Sequence, residues 1–459
     1  MVKLKLNDLF NITSAVIYNP DDFNSISSVV IDSRIVKKNS LFIAVKGSNF
    51  DGHDFVNEAV KKGAAAVIIN KNKLSKYDDI NVPIVAVDDT IKALGEIANS
   101  WRRKLKAKVI SITGSNGKTS TKEILSTLLS KKFTVVKTVS NNNNHIGVPL
   151  TILSANSKTD ILVLEHGTNH FNEIEYTAKI AEPDYGLITN IGNSHLQFLK
   201  DKQGVFVEKK TLLDEVILRR GFIFINKDDK ILKKYQTNFK QRITFGFSAD
   251  SMIEGKILGY TTDGKTKIKI QSPKYNLEIE LPLYGKTNAK NILAAVAVCY
   301  KLGLTKKELI EGIKLLKAAK SRLDVIHGSK MILIDDTYNA NPESMKSAFE
   351  LVDRIKLFKK KILVLGDMFE LGSKAKDLHL ELASSILKLK PDFVLTIGKN
   401  MKALSLAITG KIIIRHFNSL ENMKIFLMKN DFSNSVILVK GSRGMKMEEM
   451  IQPIIEGKN

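Results

Sequence analysis

Cysteine is almost missing from this chain: Cys299 is the only one among 459 residues. That excludes an internal disulfide and any metal site built on several cysteines. Long apolar runs are missing too, and none approaches the roughly 20 residues that cross a bilayer. The opening Met1-Val2-Lys3-Leu4-Lys5 has neither a long apolar segment nor a small-residue cleavage site, so no secretory signal is expected. These absences together predict a cytoplasmic protein without membrane insertion. Short repeats and a low-complexity tail are also absent. Acidic residues are scarce, 48 against 71 Lys and Arg, for a formal charge of +23. Such a field attracts anions, nucleic acid among them. The excess is mostly Lys, spread along the chain among plentiful Asn and Ile. It therefore reads as compositional bias, and no nucleic-acid partner is expected. Small anionic substrates such as nucleotides gain from the same field.

Length allows about three domains, and 43% apolar content supplies several cores. Strand-like runs lie at 29–31, 41–45, 66–69 and 84–87, and Asp88-Asp89-Thr90 then starts a helix with Asp89 or Thr90 as its cap. Further strands are predicted at 109–113, 161–164, 186–190 and 222–225. A β-like stretch follows at 243–284, then a helix at 290–303. The last third alternates again, with strands at 331–334, 361–365, 393–397, 411–414 and 436–439. Strands separated by helical segments imply parallel sheets. The expected architecture is α/β in three domains: a small N-terminal α/β unit at 1–86, a central unit with a mainly parallel sheet at 87–317, and a C-terminal Rossmann-like unit at 318–459.

The most informative segment is Thr113-Gly114-Ser115-Asn116-Gly117-Lys118-Thr119-Ser120. Val109, Ile110 and Ile112 precede it as a strand. Ile124, Leu125, Leu128 and Leu129 follow at helical spacing. Strand, glycine loop and helix make a P-loop ATPase element, whose backbone N–H groups and helix dipole cradle a polyphosphate. Lys118 is placed to reach the outer phosphates and the Thr119 hydroxyl to hold Mg²⁺. The usual spacing has a glycine five residues before the Gly-Lys pair; here Ile112 stands there and the first glycine is Gly114.

Ligands in open α/β sheets bind beyond the carboxyl ends of strands, and polar residues gather at those ends. Glu165 follows 161–164 and is the best carboxylate for the ATP-bound metal, since Mg²⁺ takes one or two carboxylates beside phosphate and water. Asn190 and His195 follow 186–188, with His195 a second candidate ligand. Asp335 and Asp336 follow 331–334, Gly366-Asp367 follows 362–365, and Lys440-Gly441-Ser442-Arg443 follows 436–439. Lys209 shares a helical stripe with Val205, Leu212, Leu213 and Val216. Lys210 is nearly as well placed against Phe206 and Ile217, so periodicity does not choose between the two lysines. The polar run Asn141-Asn142-Asn143-Asn144-His145-Ile146-Gly147-Val148-Pro149 offers amides to a ligand.

The glycine loop, the run from Asn142 to Pro149, Glu165 with Gly167, and the stretch from Asn190 to His195 resemble the Mur ligase superfamily, ATP-dependent amide-forming enzymes of cell-wall precursor synthesis. Asp336-Thr337-Tyr338-Asn339-Ala340-Asn341-Pro342 and Gly366-Asp367-Met368-Phe369-Glu370-Leu371-Gly372 resemble the branch that adds D-alanyl-D-alanine to UDP-N-acetylmuramoyl-tripeptide. Asp32-Ser33-Arg34, Leu41-Phe42-Ile43-Ala44, Asp51-Gly52-His53-Asp54-Phe55 and Lys440-Gly441-Ser442-Arg443-Gly444 agree with it. The resemblance implies that Lys118 and Thr119 bind ATP and Mg²⁺, that Glu165 and His195 hold metal, and that Lys209 is the carbamylated lysine which holds a second Mg²⁺. It implies adenine contacts from Asn288 and Asn291, and interdomain nucleotide contacts from Arg322, Asp336, Tyr338, Asn339 and Asn341. The uridine nucleotide end of the substrate falls to Asp32, Ser33, Arg34, Asp51, Gly52 and His53. Asn144, Lys440, Ser442 and Arg443 complete the expected substrate contacts. Thr287 replaces a common histidine, Lys210-Thr211 a Gly-Glu pair, and His166 a small or aliphatic residue.

The implied chemistry starts with transfer of the ATP γ-phosphoryl group to a carboxylate, which gives an acyl phosphate. An amine then displaces phosphate. A monomer acting on small molecules is expected. Competing readings are a sister ligase adding a single amino acid, a folylpolyglutamate synthase, a nucleic-acid-stimulated NTPase, and a non-catalytic scaffold of wall synthesis.

Overall fold

The computed structural model describes residues 2–457, organised on three sheets of five, nine and six strands. Strands Ser28–Val30, Ser40–Ile43, Ala64–Asn70 and Ile84–Val87 run parallel in the first. Every residue of Ser40–Ile43 and Ile84–Val87 is buried, the mark of a sheet covered on both faces. Val16–Tyr18 adds an antiparallel edge. The sequence does not announce it, because three residues of an edge strand carry no periodic signal. Asp89 caps helix Thr90–Lys104 by accepting from Ile91 N and Lys92 N at 2.8 and 3.1 Å. Leu94, Ile97 and Trp101 of this helix join one core with Leu41 and Val85 of the first sheet and Val109 and Leu162 of the second.

In the central sheet, Lys108–Thr113 lies between Ile161–Glu165 and Tyr185–Ile188, all parallel. Phe222–Asn226 and Arg242–Gly246 extend it, and Ile253–Tyr260, Lys265–Gln271 and Asn276–Tyr284 close it as an antiparallel meander. Helices Lys118–Leu129 and Gly285–Lys301 cover one face through Ile124, Leu125, Leu128, Ile292 and Val296. The strand expected at 186–190 ends at Ile188, which frees Thr189 and Asn190 to turn toward the glycine loop.

The third sheet runs Asp324–His327, Met331–Asp336, Ser435–Lys440, Lys360–Gly366, Phe393–Ile397, Ile414–Phe417, parallel except for its first strand. The strand expected at 411–414 lies three residues later. Ile413 is 62% exposed, while Phe417 is buried, so residues 411–413 are the approach to the strand and Phe417 its anchor. Ile332, Leu363 and Val436 share a core with Ile188 and Ile223 of the central sheet and with Val205 and Leu213 of helix Lys202–Leu218. The carboxyl ends of the second and third sheets thereby open on one cleft.

Candidate active site

Two glycines shape the phosphate loop. Gly114 has φ +148°, and a Cβ there would stand 1.9 Å from Thr189 Oγ1; Gly117 has φ +80°, and a Cβ would stand 2.5 Å from Asn291 Oδ1. Only glycine fits either position. The loop is tied down from the neighbouring strand end. Asn190 Oδ1 accepts from Asn116 N at 3.0 Å, and Asn190 Nδ2 and Thr189 Oγ1 donate to Asn116 O at 2.9 and 2.6 Å. Ser115 N donates to Asn190 O at 3.0 Å. These bonds spend the loop's early polar groups inward. The N–H groups at the start of helix Lys118–Leu129 have no intrahelical partner and are left for an anion. Lys118 Nζ donates to Gly114 O at 2.8 Å. Burial pulls its pKa down from the usual lysine value, and Glu165 partly offsets that.

Glu165 ends its strand buried beside this helix. Its Oε1 accepts from Thr119 Oγ1 at 3.0 Å and from Asn143 Nδ2 at 2.8 Å, while its buried Oε2 has no hydrogen bond. Because the Thr119 hydroxyl donates to Glu165, its lone pairs remain free. One carboxylate and one hydroxyl suit Mg²⁺ brought on phosphates. Among the described residues no cluster of three His, Cys, Asp or Glu side chains forms a dedicated metal cage. The amide that touches Glu165 belongs to Asn143. Asn144, expected among the substrate contacts, folds the turn that leads into helix Gly147–Ser154, accepting from Ile146 N and Gly147 N at 3.1 and 2.9 Å.

The two lysines left open by periodicity separate in helix Lys202–Leu218. Lys210 is partly exposed and pairs with Asp214 at 2.7 Å. Lys209 is fully buried, and its Nζ has no hydrogen-bond partner. Burial holds the Lys209 pKa well below the ordinary value, and the charge of Lys118 lowers it further. The adjacent Glu208 is occupied by Asn172 N and Ile174 N at 2.7 and 2.8 Å.

A cavity of about 330 Å³ opens in front of the loop. Residues Ser115 to Ser120, together with Asn288 and Asn291, form one side; Arg322, Asp336, Tyr338, Asn339 and Asn341 form the other. Arg322 lies 3.7 Å over the Tyr338 ring, and Asn341 Nδ2 donates to Asn116 Oδ1 at 2.7 Å across the cleft. Asn288 Nδ2 donates to Tyr284 O at 3.0 Å, whereas Asn291 Nδ2 is buried without a partner. His195 Nδ1 approaches Glu370 Oε2 at 2.7 Å across the cleft. The His195 side chain holds the Glu370 carboxyl below its usual pKa despite burial. Glu343 accepts from Asn193 N at 3.2 Å and pairs with Lys202 at 3.1 Å. Neither glutamate stands out as a site residue in sequence. Glu370 sits inside a motif, and only the fold brings it to His195.

Other expected contacts are arranged as supports. Lys440 is buried against Asp336 and donates to Asn339 O at 2.9 Å. Ser442 is buried and accepts from Phe369 N at 2.8 Å, so it orders the loop and does not face the cavity. Arg443 is exposed and pairs with Glu448. The N-terminal group stands outside this cavity, at the strand ends of the first sheet. Asp32 is gripped by Arg34 Nε and Nη2 at 2.9 and 2.7 Å, and Arg34 holds its pKa at about 2. Ser33 is buried near Glu58. Asp51 accepts from His53 N at 3.0 Å and meets His53 Nδ1 at 2.6 Å, and His53 Nε2 accepts from Asn70 N at 2.9 Å. A Cβ on Gly52 would press on Val45 N at 2.7 Å.

His166 is a core histidine, with Nδ1 at 2.9 Å from Thr177 Oγ1 and Nε2 at 2.8 Å from Ser111 Oγ. Burial lowers its pKa from 6.5 to about 3. The unfolded chain therefore takes up this proton below pH 6.5, and the folded chain refuses it until about pH 3. Stability attributable to this group falls as pH drops through that window. Urea unfolding at pH 7 and pH 5 is expected to show a loss of about 2 kcal/mol from His166, and a His166→Gln chain is expected to lack that part of the slope.

Three family descriptions match in succession: Mur ligase family, catalytic domain, over residues 25–102; Mur ligase middle domain over 112–299; and Mur ligase, glutamate ligase domain, over 321–443. The UDP-N-acetylmuramoyl-tripeptide–D-alanyl-D-alanine ligase of Bacillus subtilis is 33% identical over 461 residues, covering 99% of both chains. A solved MurF structure from Acinetobacter baumannii superposes with TM-score 0.89 at 28% identity over 99% of both chains. A MurF ligase from Thermotoga maritima in complex with ADP gives TM-score 0.83 at 29% identity, covering 94% of this chain and 97% of that one. The chain belongs to the Mur ligase family.

Proposed function

We propose that this chain joins D-alanyl-D-alanine to UDP-N-acetylmuramoyl-tripeptide, forming ADP and phosphate in peptidoglycan precursor synthesis. The observation that carries the reading is the shared cleft. The phosphate loop and Glu165 stand at one sheet's strand ends, and Arg322, Tyr338 and Asn341 face them from another sheet. We take the working units as 1–86, 87–317 and 318–459. The first holds the uridine nucleotide through Asp32, Ser33, Arg34 and the Asp51-Gly52-His53 turn. The second holds ATP, and the third closes over it. The protein acts as a cytoplasmic monomer on small molecules; no described helix is long and apolar enough to cross a membrane.

A carboxylate resists an amine because oxide is a very poor leaving group. Transfer of the γ-phosphoryl group to the substrate carboxylate makes an acyl phosphate, and the amine of D-alanyl-D-alanine then expels phosphate. Lys118 and the loop N–H groups neutralise charge that develops on the transferred group. Thr119 and Glu165 would hold Mg²⁺, with His195 and a carbamylated Lys209 as the second set of donors. The metal supplies Lewis-acid neutralisation of phosphate oxygens. Asn288 and Asn291 line the adenine side. Asn341 and Glu370 reach from the third unit to Asn116 and His195, so the site is complete only when the units are together.

ADP release from ATP and UDP-N-acetylmuramoyl-tripeptide tests the reading against a panel of acceptors. D-alanyl-D-alanine is expected to support turnover at least about 100-fold better than single amino acids. Preference for a single amino acid or a folate would point to a sister enzyme. Stimulation by RNA or DNA with steep salt dependence would contradict the reading.

A further inference from the structure

Lys122 is a wholly buried lysine that the mechanism above does not use. It lies one helical turn beyond Lys118, on the buried side of helix Lys118–Leu129, and is 0% exposed. A charged ammonium is rarely buried without strong compensation. Its Nζ donates to Ser140 O at 2.9 Å and lies 3.2 Å from Glu123 Oε1. Ser140 adopts φ +52°, a left-handed backbone. Glu123 is shared with Lys137. The third neighbour is Glu165 Oε2, at 3.5 Å.

That last distance matters. It is close enough for the ammonium to neutralise Glu165 through space, yet Oε2 makes no hydrogen bond. The lone pairs stay open while the charge is balanced. Thr119 and Asn143 meanwhile hold the other oxygen at 3.0 and 2.8 Å. The carboxylate is thus fixed in orientation and free on the side that a metal would take.

We propose that Lys122 is a resident counter-cation for Glu165: a positioning residue that keeps the carboxylate ordered without metal and limits how tightly the site takes a divalent cation. Two cations then share one carboxylate. The ammonium weakens the metal at the empty site, and nucleotide phosphates supply the missing negative charge. The site admits metal chiefly together with nucleotide. The inference rests on the reading of Glu165 as a metal carboxylate.

Mn²⁺ takes the same oxygen ligands as Mg²⁺, and its paramagnetic signal counts bound ion without turnover. The full chain, Lys122→Met and Lys122→Arg are titrated with Mn²⁺, alone and with ADP. Lys122→Met is expected to bind Mn²⁺ about tenfold tighter than the parent without nucleotide, and to gain less from ADP. Lys122→Arg, which keeps the charge, is expected to stay within about twofold of the parent. Equal or weaker binding by Lys122→Met overturns the proposal. A Lys122→Met chain that unfolds in chelator and folds in Mg²⁺ supports it, because one cation replaces the other. A chain that stays unfolded in saturating Mg²⁺ overturns it. Absence of ADP-dependent Mn²⁺ binding by the parent would instead reject the reading of the site itself.

Discussion

Lys118→Ala is expected to lower kcat/KM for ADP formation by about 10³-fold or more while leaving the fold in place. The side chain projects from the first residue of helix Lys118–Leu129, and its Nζ donates to Gly114 O. A phosphate oxygen can take over that bond without moving the backbone. In the transition state the charge on the transferred group spreads, and a partly desolvated ammonium interacts with it more strongly than it would in water. The folded chain loses one hydrogen bond and sheds one partly buried charge, so the net change in stability is within about 1 kcal/mol. Single-turnover ADP formation together with the urea midpoint checks both halves. A folded variant with normal turnover contradicts the role.

Lys209→Ala is expected to cost about 10²-fold in turnover and to recover in part with formate or acetate, because a small carboxylate can fill the space and supply the missing anionic oxygens. The argument starts from the buried, partnerless Nζ. Desolvation and the nearby Lys118 both lower its pKa, so the amine is neutral far more readily than an exposed lysine. A neutral amine is the form that attacks CO₂: nitrogen bonds to carbon, an N–H proton leaves to solvent, and an anionic carbamate remains. That anion turns the repulsion from Lys118 into attraction. Stripping CO₂ and bicarbonate should therefore reduce parent activity, and adding bicarbonate should restore it. Neither treatment should affect Lys209→Ala. Mass measurement under native, CO₂-saturated conditions, compared with acid-treated protein, gives an independent reading. Activity indifferent to CO₂, with no carboxylate rescue, contradicts the assignment.

Much of this was legible because it is local. A strand, two glycines and a helix between residues 108 and 129 define the phosphate loop, and the structure shows why the glycines stand there: Thr189 and Asn291 occupy the space a side chain would need. Buried parallel strands such as Ile84–Val87 and the first four residues of Ile161–Glu165 are continuous apolar runs and are readable for the same reason. What stayed hidden depends on distance in the chain. Asn143 and Asn144 are neighbours in one polar run, and only the path of the loop decides that Asn143 meets Glu165 while Asn144 holds a turn. Glu370 meets His195 across two sheets, and no periodicity encodes that contact. Lys209 and Lys210 differ by a single residue along a helix with an apolar residue near each; burial separates them, and burial is a property of the assembled fold. Edge strands Val16–Tyr18 and Asp324–His327 are too short to announce themselves. The approach to Phe417 imitates a strand because three isoleucines precede it.

The central claim is that ATP energy activates a carboxylate as its acyl phosphate. The most direct test places ¹⁸O in the reacting carboxylate of UDP-N-acetylmuramoyl-tripeptide and follows the label during turnover with ATP and D-alanyl-D-alanine. Attack of the carboxylate on the γ-phosphorus leaves a carboxylate oxygen bridging carbon and phosphorus, and the amine then expels that oxygen with phosphate. Released inorganic phosphate is predicted to carry one substrate-derived ¹⁸O per turnover. Phosphate whose fourth oxygen comes from solvent, with the departing carboxylate oxygen lost as water, would contradict the account.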